Sequence, residues 1–266
     1  MNEGLAGQGT LGALVVAVPL ALLILMLRRQ WRIHGHLPLA RLGGRRARAP
    51  QDYVEALFDG YADHYDQHLL VELGYAVPNL ISAEVGALLG DDPLPLPSAL
   101  DLGCGTGLLG VLLRSRVEQL VGVDLSREML QVARRRRVYD ALHQGDLLAF
   151  LQRDRGRYAL ITAADVLVYI GALETLFERV AEHLTEGGRL IFTTEALSAD
   201  SKDDDNGFAL QPTGRFAHAP AYIARAAAQA GLRIERQRPC QLRQQRDQPV
   251  QGHLYQLARN AVQGFR

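Results

Sequence analysis

The sequence contains little cysteine, almost no lysine and no excess of charge of either sign. Its two cysteines, Cys104 and Cys240, are too few for a disulfide framework. Cys104 lies in a glycine-rich stretch where a disulfide would distort the backbone, so we expect a reducing compartment. The 29 basic residues, all arginine except Lys202, balance 29 acidic residues. This balance gives no reason to expect a nucleic-acid partner.

Two kinds of catalytic centre are also missing from the pattern. No cluster of His and Cys has the spacing of a metal site, so no metal is expected. No order of Ser, His and Asp indicates a hydrolase. At 266 residues the chain can hold one α/β domain of ordinary size and an appendage.

Long apolar runs are confined to the N-terminus. No charged residue occurs from Gly4 to Leu27, and about 20 apolar residues suffice to span a bilayer. Glu3 is the single charge before this run, whereas seven arginines and no acid follow it as far as Arg48. A secretory signal has its positive charge first.

We therefore expect a transmembrane anchor over 1–27 and a basic juxtamembrane linker over 28–50. The excess of arginine after the run predicts a single-pass membrane protein whose catalytic domain faces the cytoplasm. A misassigned start or a buried helix would leave the same pattern.

Helical patterns follow the linker. From Asp52 to Leu69, apolar and aromatic residues recur every three or four positions, which is typical of an amphipathic helix, and a second helix is predicted over roughly Val77–Leu89. The proline-rich run 91–97 cannot continue a helix. We place a helical cap and connector at 51–97.

From residue 98 onward, strands and helices alternate. Strands are predicted at 99–102, 120–123, 141–143, 158–162 and 189–194. A helix from Pro220 precedes two more strands, 232–236 and 252–258, which a polar turn at 243–251 joins. This order predicts an α/β domain over 98–266, with a seven-stranded, mostly parallel sheet that ends in an antiparallel hairpin.

The clearest motif is the run Asp101-Leu102-Gly103-Cys104-Gly105-Thr106-Gly107, between a strand and a helix. Glycines permit a tight turn and the close approach of a ligand, and the helix N-terminus offers unpaired N–H groups. The run from Gly105 to Gly110 also fits the dinucleotide pattern G-x-G-x-x-G, so NAD is an alternative. Asp101 favours S-adenosylmethionine (SAM), because its carboxylate suits a cationic methionine end better than a pyrophosphate.

Two further aspartates follow the next strands. Asp124, with Leu125 after it, can accept hydrogen bonds from both ribose hydroxyls of SAM or NAD. Asp146 can accept a bond from an adenine amino group, with Leu147 packing on the ring. Helix capping is the alternative for Asp124, although Ser126 is the better cap. A plain turn is the alternative for Asp146.

Together these residues resemble the class I SAM-dependent methyltransferases over roughly 98–259. The run 101–107 matches that family's first motif, 122–126 its second and 145–147 its adenine site. A closer likeness, through 58–66 and 210–218, is to predicted methyltransferases that usually carry tetratricopeptide repeats, although residues 1–50 hold no such repeat. The resemblance implies a Rossmann-like fold with strand order 3-2-1-4-5-7-6, SAM as the cofactor over the C-terminal edge of the sheet, and an N-terminal helix closing over it.

Several side chains are candidates for contact with the cofactor or the acceptor. Tyr61 and Tyr65 lie one turn apart on the closing helix, where their rings can cover the site or simply belong to the core. Methyl transfer needs positioning, exclusion of water and sometimes a base. The candidate catalytic residues are Asp165, Tyr169, Glu195 and His218, although Asp165 can equally cap a turn and His218 can serve only as a hydrogen bonder in a loop.

The sequence thus predicts a SAM-dependent methyltransferase that acts on a small-molecule or membrane-proximal acceptor. Residues 163–166 lack the Asn/Asp-Pro-Pro-Tyr tetrad associated with methylation of planar amino nitrogens. An NAD(P)-dependent oxidoreductase is one alternative, disfavoured by Asp101 and by the lack of a Tyr-x-x-x-Lys pair. A non-catalytic SAM-binding interaction module is the other. Neither the acceptor atom nor the oligomeric state follows from the sequence.

Overall fold

The computed structural model describes residues 47–62, 65–69, 73–90, 94–198, 206–245 and 248–260. The expected transmembrane anchor and most of the expected linker lie outside these residues. Within the described part of the chain, no helix has both the length and the apolar character needed to cross a membrane.

The described residues are organised around one mixed sheet of nine strands. Its first five strands run parallel in the order β3-β2-β1-β4-β5, and β9 pairs antiparallel with β5 and with β8. The predicted order is confirmed, since β9 and β8 are the predicted seventh and sixth strands. The strands are β1 Leu96–Leu102, β2 Val117–Asp124, β3 Ala141–Gln144, β4 Tyr158–Ala163, β5 Leu184–Ala196, β6 Phe208–Leu210, β7 Phe216–His218, β8 Leu232–Gln245 and β9 Gln248–Arg259.

Helices cover both faces of the sheet, because successive residues of a strand point to opposite sides. Leu160 packs in one apolar cluster with α3 and α4, whereas Ile161 packs in another with α6, α7 and α8. The helices are α1 Gln51–Asp59, the single turn α2 Tyr65–Gln67, α3 Val77–Leu89, α4 Leu108–Leu113, α5 Arg127–Arg136, α6 Leu147–Arg153, α7 Glu174–His183 and α8 Pro220–Gln229.

The helix predicted from Asp52 to Leu69 is wrong as a continuous element. Helix α1 ends at Asp59, and the N–H of Gly60 donates to the carbonyl of Ala56 at 3.2 Å. The chain then turns before α2. The cap, meaning the described residues from 51 to 69, therefore contains two helical segments and not one continuous helix.

The C-terminal hairpin is longer than predicted. Strands β8 and β9 pair as far as Gln245 and Gln248, so the expected polar turn at 243–251 is mostly strand. Leu242 and Arg243 are buried there, and the N–H of Ala76 donates to the carbonyl of Leu242 at 3.0 Å. Burial against the segment before α3 explains how a polar stretch forms a strand. Helix α6 and the β6–β7 pair were not predicted.

Candidate functional site

A cavity opens where the loops after β1, β2, β3 and β4 meet, at the carboxyl ends of these parallel strands. It encloses about 740 Å³ including its mouth, and we call it the main cavity. A side cavity of about 320 Å³ shares Tyr65, Gly103, Gly105 and Ala164 with it. Open α/β sheets bind their ligands at this edge.

The glycine-rich turn forms the floor shared by both cavities. Gly103, Gly105 and Gly107 have φ of 65°, 54° and 87°, in the left-handed region that favours glycine. A Cβ on Gly105 would meet no atom within 4 Å, so glycine there leaves space for a ligand. A Cβ on Gly103 would lie 2.4 Å from Val166, so that glycine permits close packing.

Gly107 and Cys104 of the same turn differ in their exposure to the cavities. Gly107 lines neither cavity and precedes α4, with its N–H donating to the carbonyl of Cys104 at 2.9 Å. Cys104 is buried and lines the side cavity. The turn therefore presents the four residues from Gly103 to Thr106 to the cavities, while Gly107 shapes the backbone.

Asp124 stands at the end of β2 and lines the main cavity. One carboxylate oxygen accepts the N–H of Gly105 at 2.8 Å, and the other accepts the N–H of Ser126 at 2.9 Å. Burial raises the pKa of Asp124 to about 6, against the opposing effect of these two bonds. Ser126 caps α5 by accepting the N–H of Met129, so Asp124 keeps lone pairs for a ligand.

Asp101 is buried beneath the glycine turn and lines the side cavity. Its carboxylate accepts hydrogen bonds from the hydroxyls of Tyr139 at 2.8 Å and Thr162 at 2.9 Å. Burial raises its pKa to about 6, although the two hydroxyls oppose the shift. Asp101 is therefore a desolvated carboxyl whose ionised form a nearby cation would stabilise.

Asp146 lines the main cavity with Leu125 and Leu147, and it also caps a helix. Its Oδ1 accepts the N–H groups of the second and third residues of α6 at 3.1 and 3.0 Å. Its Oδ2 is hydrogen-bonded to Arg48. Burial opposes ionisation, but these bonds outweigh it and hold the pKa of Asp146 below its ordinary value.

The cap covers the cavities and is bonded to the same loops. Tyr65 lines both cavities, whereas Tyr61 lines neither and packs edge-on against Tyr65 with ring centroids 5.2 Å apart. Asp66 accepts the Thr106 hydroxyl at 2.5 Å. Asp59 accepts the Ser126 hydroxyl at 2.6 Å. Of the two candidate tyrosines, the structure therefore brings only Tyr65 to the site.

The four catalytic candidates separate into two pairs. Asp165 and Tyr169 line the main cavity, and Glu195 and His218 do not. His218 is buried, and its Nε2–H is shared between the carbonyls of Ile170 and Gly171 at 3.0 and 3.1 Å. Burial lowers its pKa to about 4. His218 thus supports the loop behind the cavity, and the structure gives it no access to a reacting group.

Arg243 connects two of these candidates, Asp165 and Glu195. Its side chain is 1% exposed, and it contacts both oxygens of Asp165 at 3.2 and 3.1 Å and is hydrogen-bonded to Glu195. Arg215 lies 3.5 Å from Glu195 and 6.0 Å from the centre of the Tyr169 ring. Burial raises the pKa of both carboxyls, and the Arg215 guanidinium opposes this. The result is a charge-balanced cluster behind the cavity wall.

The sequence pattern did not identify Arg48, Arg215 or Arg243 as site residues. Arg48 was one of many arginines in the expected linker, and Arg243 fell in the expected polar turn. Arg215 alone carried a signal, because it lies in the stretch 210–218 that supports the closer family likeness.

Residues 99–188 match the family model described as a methyltransferase domain. The ubiquinone biosynthesis O-methyltransferase of Coxiella burnetii is 28% identical over 148 residues, which are 51% of this chain and 63% of that protein. The malonyl-[acyl-carrier protein] O-methyltransferase of Enterobacter lignolyticus is 29% identical over 185 residues, which are 68% of this chain and 69% of that protein. The chain thus spans less than two thirds of the ubiquinone-pathway relative.

Solved structures show the same fold. A SAM-dependent methyltransferase from Clostridium acetobutylicum superposes with a TM-score of 0.53 at 21% identity, covering 68% of this chain and 91% of its own. Magnesium protoporphyrin IX methyltransferase from Synechocystis, with bound SAM, gives 0.52 at 17% identity, covering 88% and 91%. The fold is therefore that of the class I SAM-dependent methyltransferases.

The charged cluster that contains Arg243, Asp165 and Glu195 leads to a prediction about stability. Replacing Arg243 by Met leaves Asp165 and Glu195 without this buried partner, which we expect to lower the free energy of unfolding by about 3–5 kcal/mol at pH 7.5. The native state of this variant binds protons more readily than the unfolded chain does. The loss in free energy of unfolding, relative to the unmodified chain, should therefore become smaller as the pH falls toward 5. Urea unfolding at both pH values measures this.

The matched control is the double variant R243M/D165N, which removes one charge of each sign, leaves the Glu195–Arg215 pair and should recover most of the loss. If R243M is instead destabilised equally at both pH values, or if the double variant is less stable than R243M, the cluster does not act through its charges.

Proposed function

We propose that the chain is a SAM-dependent methyltransferase that transfers a methyl group to an oxygen atom of a small-molecule acceptor. The observation that carries this proposal is the placement of Asp124, with both oxygens oriented by backbone N–H groups at the cavity floor. The family match over 99–188 and the two O-methyltransferase relatives support it.

The residues around the cavities fit SAM in charge and shape. Bound SAM supplies a methyl group on a positively charged sulfonium. Asp101 in the side cavity suits the cationic amino-acid end, and Asp124 accepts the ribose hydroxyls. Leu125 and Leu147 offer apolar contact to the adenine ring, with Asp146 at its edge. A Cβ on Gly145 would also meet no atom within 4 Å, which leaves room beside the ring.

The acceptor side of the main cavity is apolar and aromatic with one carboxylate. Val54 and Phe58 of α1 line it together with Val166, Tyr169, Ile170 and Asp165, and the rings of Phe58 and Tyr169 pack edge-on with centroids 5.6 Å apart. Such walls suit a flat, largely apolar molecule and exclude water. Asp165, which lines this region, would take the proton of an acceptor hydroxyl while the hydroxyl oxygen bonds the methyl carbon and the bond from that carbon to the sulfonium sulfur breaks.

Loss of the ribose contacts gives the sharpest test of cofactor binding. Replacing Asp124 by Asn should weaken SAM binding about a hundredfold, since two hydrogen bonds to a buried carboxylate contribute roughly 2–4 kcal/mol. Isothermal titration of full-length protein measures the dissociation constant. Asp140→Asn is the control, because Asp140 pairs with Arg114 on the surface, and it should bind SAM normally.

Titration with NADH distinguishes the proposed methyltransferase from its main alternative, an NAD(P)-dependent oxidoreductase. Tight binding of NADH together with no binding of SAM would favour an oxidoreductase and contradict the proposal. Binding of SAM without turnover of any acceptor would favour the non-catalytic module.

The acceptor chemistry is tested by S-adenosylhomocysteine release. We expect turnover with phenolic or carboxylic acceptors that carry an apolar body, and Asp165→Asn should reduce kcat about a hundredfold while the KM for SAM changes little. A panel that pairs each oxygen acceptor with its amine analogue measures this. Turnover confined to the amines would contradict the proposal, as would an unchanged kcat in Asp165→Asn.

The N-terminal apolar run leads to a further proposal, namely that the chain is held at a membrane with its catalytic domain in the cytoplasm. The charge order around residues 4–48 supports it. Full-length protein should sediment with membranes and resist carbonate extraction. The variant V16R/L22R should not, because charges near the bilayer centre disfavour insertion. A full-length chain found wholly in the soluble fraction would contradict the anchor.

A further inference from the structure

Residues 47–50 form a short strap across the site. The backbone of Arg48 pairs antiparallel with Ile170. The N–H of Ala49 donates to the carbonyl of Tyr169 at 3.0 Å, and the carbonyl of Ala47 accepts the N–H of Gly171 at 2.8 Å. The strap is thus fixed to the loop after β4, which forms the acceptor wall.

The side chain of Arg48 reaches Asp146, which follows β3. Its guanidinium is hydrogen-bonded to Oδ2 of Asp146, at the start of α6 and 98 positions along the chain. Both residues line the main cavity. Ala49 beside it is buried against Val168 and Tyr169. One arginine therefore connects the wall proposed for adenine with the wall proposed for the acceptor.

This connection differs from two other hydrogen bonds that join the cap to the loops of the site. Asp59 bonds Ser126, and Asp66 bonds Thr106, but neither aspartate lines the main cavity or the side cavity. Of these three contacts, the Arg48–Asp146 pair is the one in which both residues line the main cavity, so a bound ligand would lie beside both of them. A nucleoside bound beside Asp146 would lie next to this charged pair.

We propose that Arg48 is a cofactor-positioning residue that fixes the Asp146 carboxylate and closes the adenine end of the cavity. This inference rests on the proposed function, because it takes SAM as the ligand. Oδ1 of Asp146 is already held by the N–H groups of Leu148 and Ala149, so Oδ2 is the oxygen left to meet an adenine amino group. Arg48 sets the orientation of that oxygen.

The guanidinium suits this role better than other side chains. It holds its donors in one rigid plane, so it can bond Oδ2 in a fixed direction, and it is always charged. A lysine at position 48 retains the charge but not the planar donor set. A glutamine retains a donor but not the charge.

Binding of SAM to full-length protein tests the inference without any acceptor. Arg48→Gln should raise the dissociation constant about tenfold, the size expected for loss of one charge-assisted hydrogen bond, and Arg48→Lys should lie between it and the unmodified chain. Arg179→Gln is the control, because Arg179 pairs with Glu182 on the exposed side of α7. It should bind SAM as the unmodified chain does.

Two further readouts separate positioning from simple structural support. The rise in melting temperature on adding SAM should be smaller in Arg48→Gln than in the unmodified chain. A residue that only supports the fold would instead lower the melting temperature without ligand and leave that rise unchanged. In a double-mutant cycle, R48Q/D146N should bind SAM no more weakly than D146N alone, because Arg48 acts through Asp146.

The outcomes distinguish this inference from the proposed function. If the unmodified chain binds SAM and Arg48→Gln binds it equally well, the inference fails and the proposed function stands. Fully additive losses in the cycle would overturn the action of Arg48 through Asp146. If the unmodified chain binds no SAM, both fail together.

Discussion

The geometry of the site depends on how the Asp124 carboxylate joins two loops. Its bonds to the N–H groups of Gly105 and Ser126 hold the glycine turn after β1 against the start of α5 after β2. The cap then docks on these same loops through Asp66 and Asp59. One buried carboxylate therefore fixes the floor of the cavity and, through it, the position of the cover. The ionised Asp124 carboxylate is needed both to join these loops and, as proposed, to bind the ribose hydroxyls.

The two ends of the main cavity are built from different parts of the chain. The carboxyl ends of β1 and β2 and the loop after β3 supply the carboxylates proposed to hold the cofactor. The acceptor wall comes from the loop after β4, which Arg243 supports from the C-terminal hairpin. The cofactor end therefore consists of residues in the family's sequence motifs, whereas the acceptor end also depends on residues that are distant in sequence. The strap 47–50 connects the two ends directly.

The sequence was informative where a local pattern determines the structure. The alternation of strands and helices predicted a mostly parallel α/β sheet, and the family resemblance implied its strand order. The glycine turn and the aspartates at the ends of β1, β2 and β3 were expected at one edge of the sheet, where the structure places them. Pairings between distant residues left no such pattern. Arg243 meets Asp165 across 78 positions and Arg48 meets Asp146 across 98. Burial of a polar strand by a neighbouring segment also hid Arg243, and periodicity alone did not show that Gly60 interrupts the first helix.

A crystal structure of the full-length protein with S-adenosylhomocysteine would show whether Asp124 holds the cofactor. We expect both ribose hydroxyls within hydrogen-bond distance of Asp124, the adenine ring against Leu125 and Leu147, and the amino-acid end in the side cavity near Asp101. A ligand that binds elsewhere, or a phosphate group seated in the glycine turn, would contradict it.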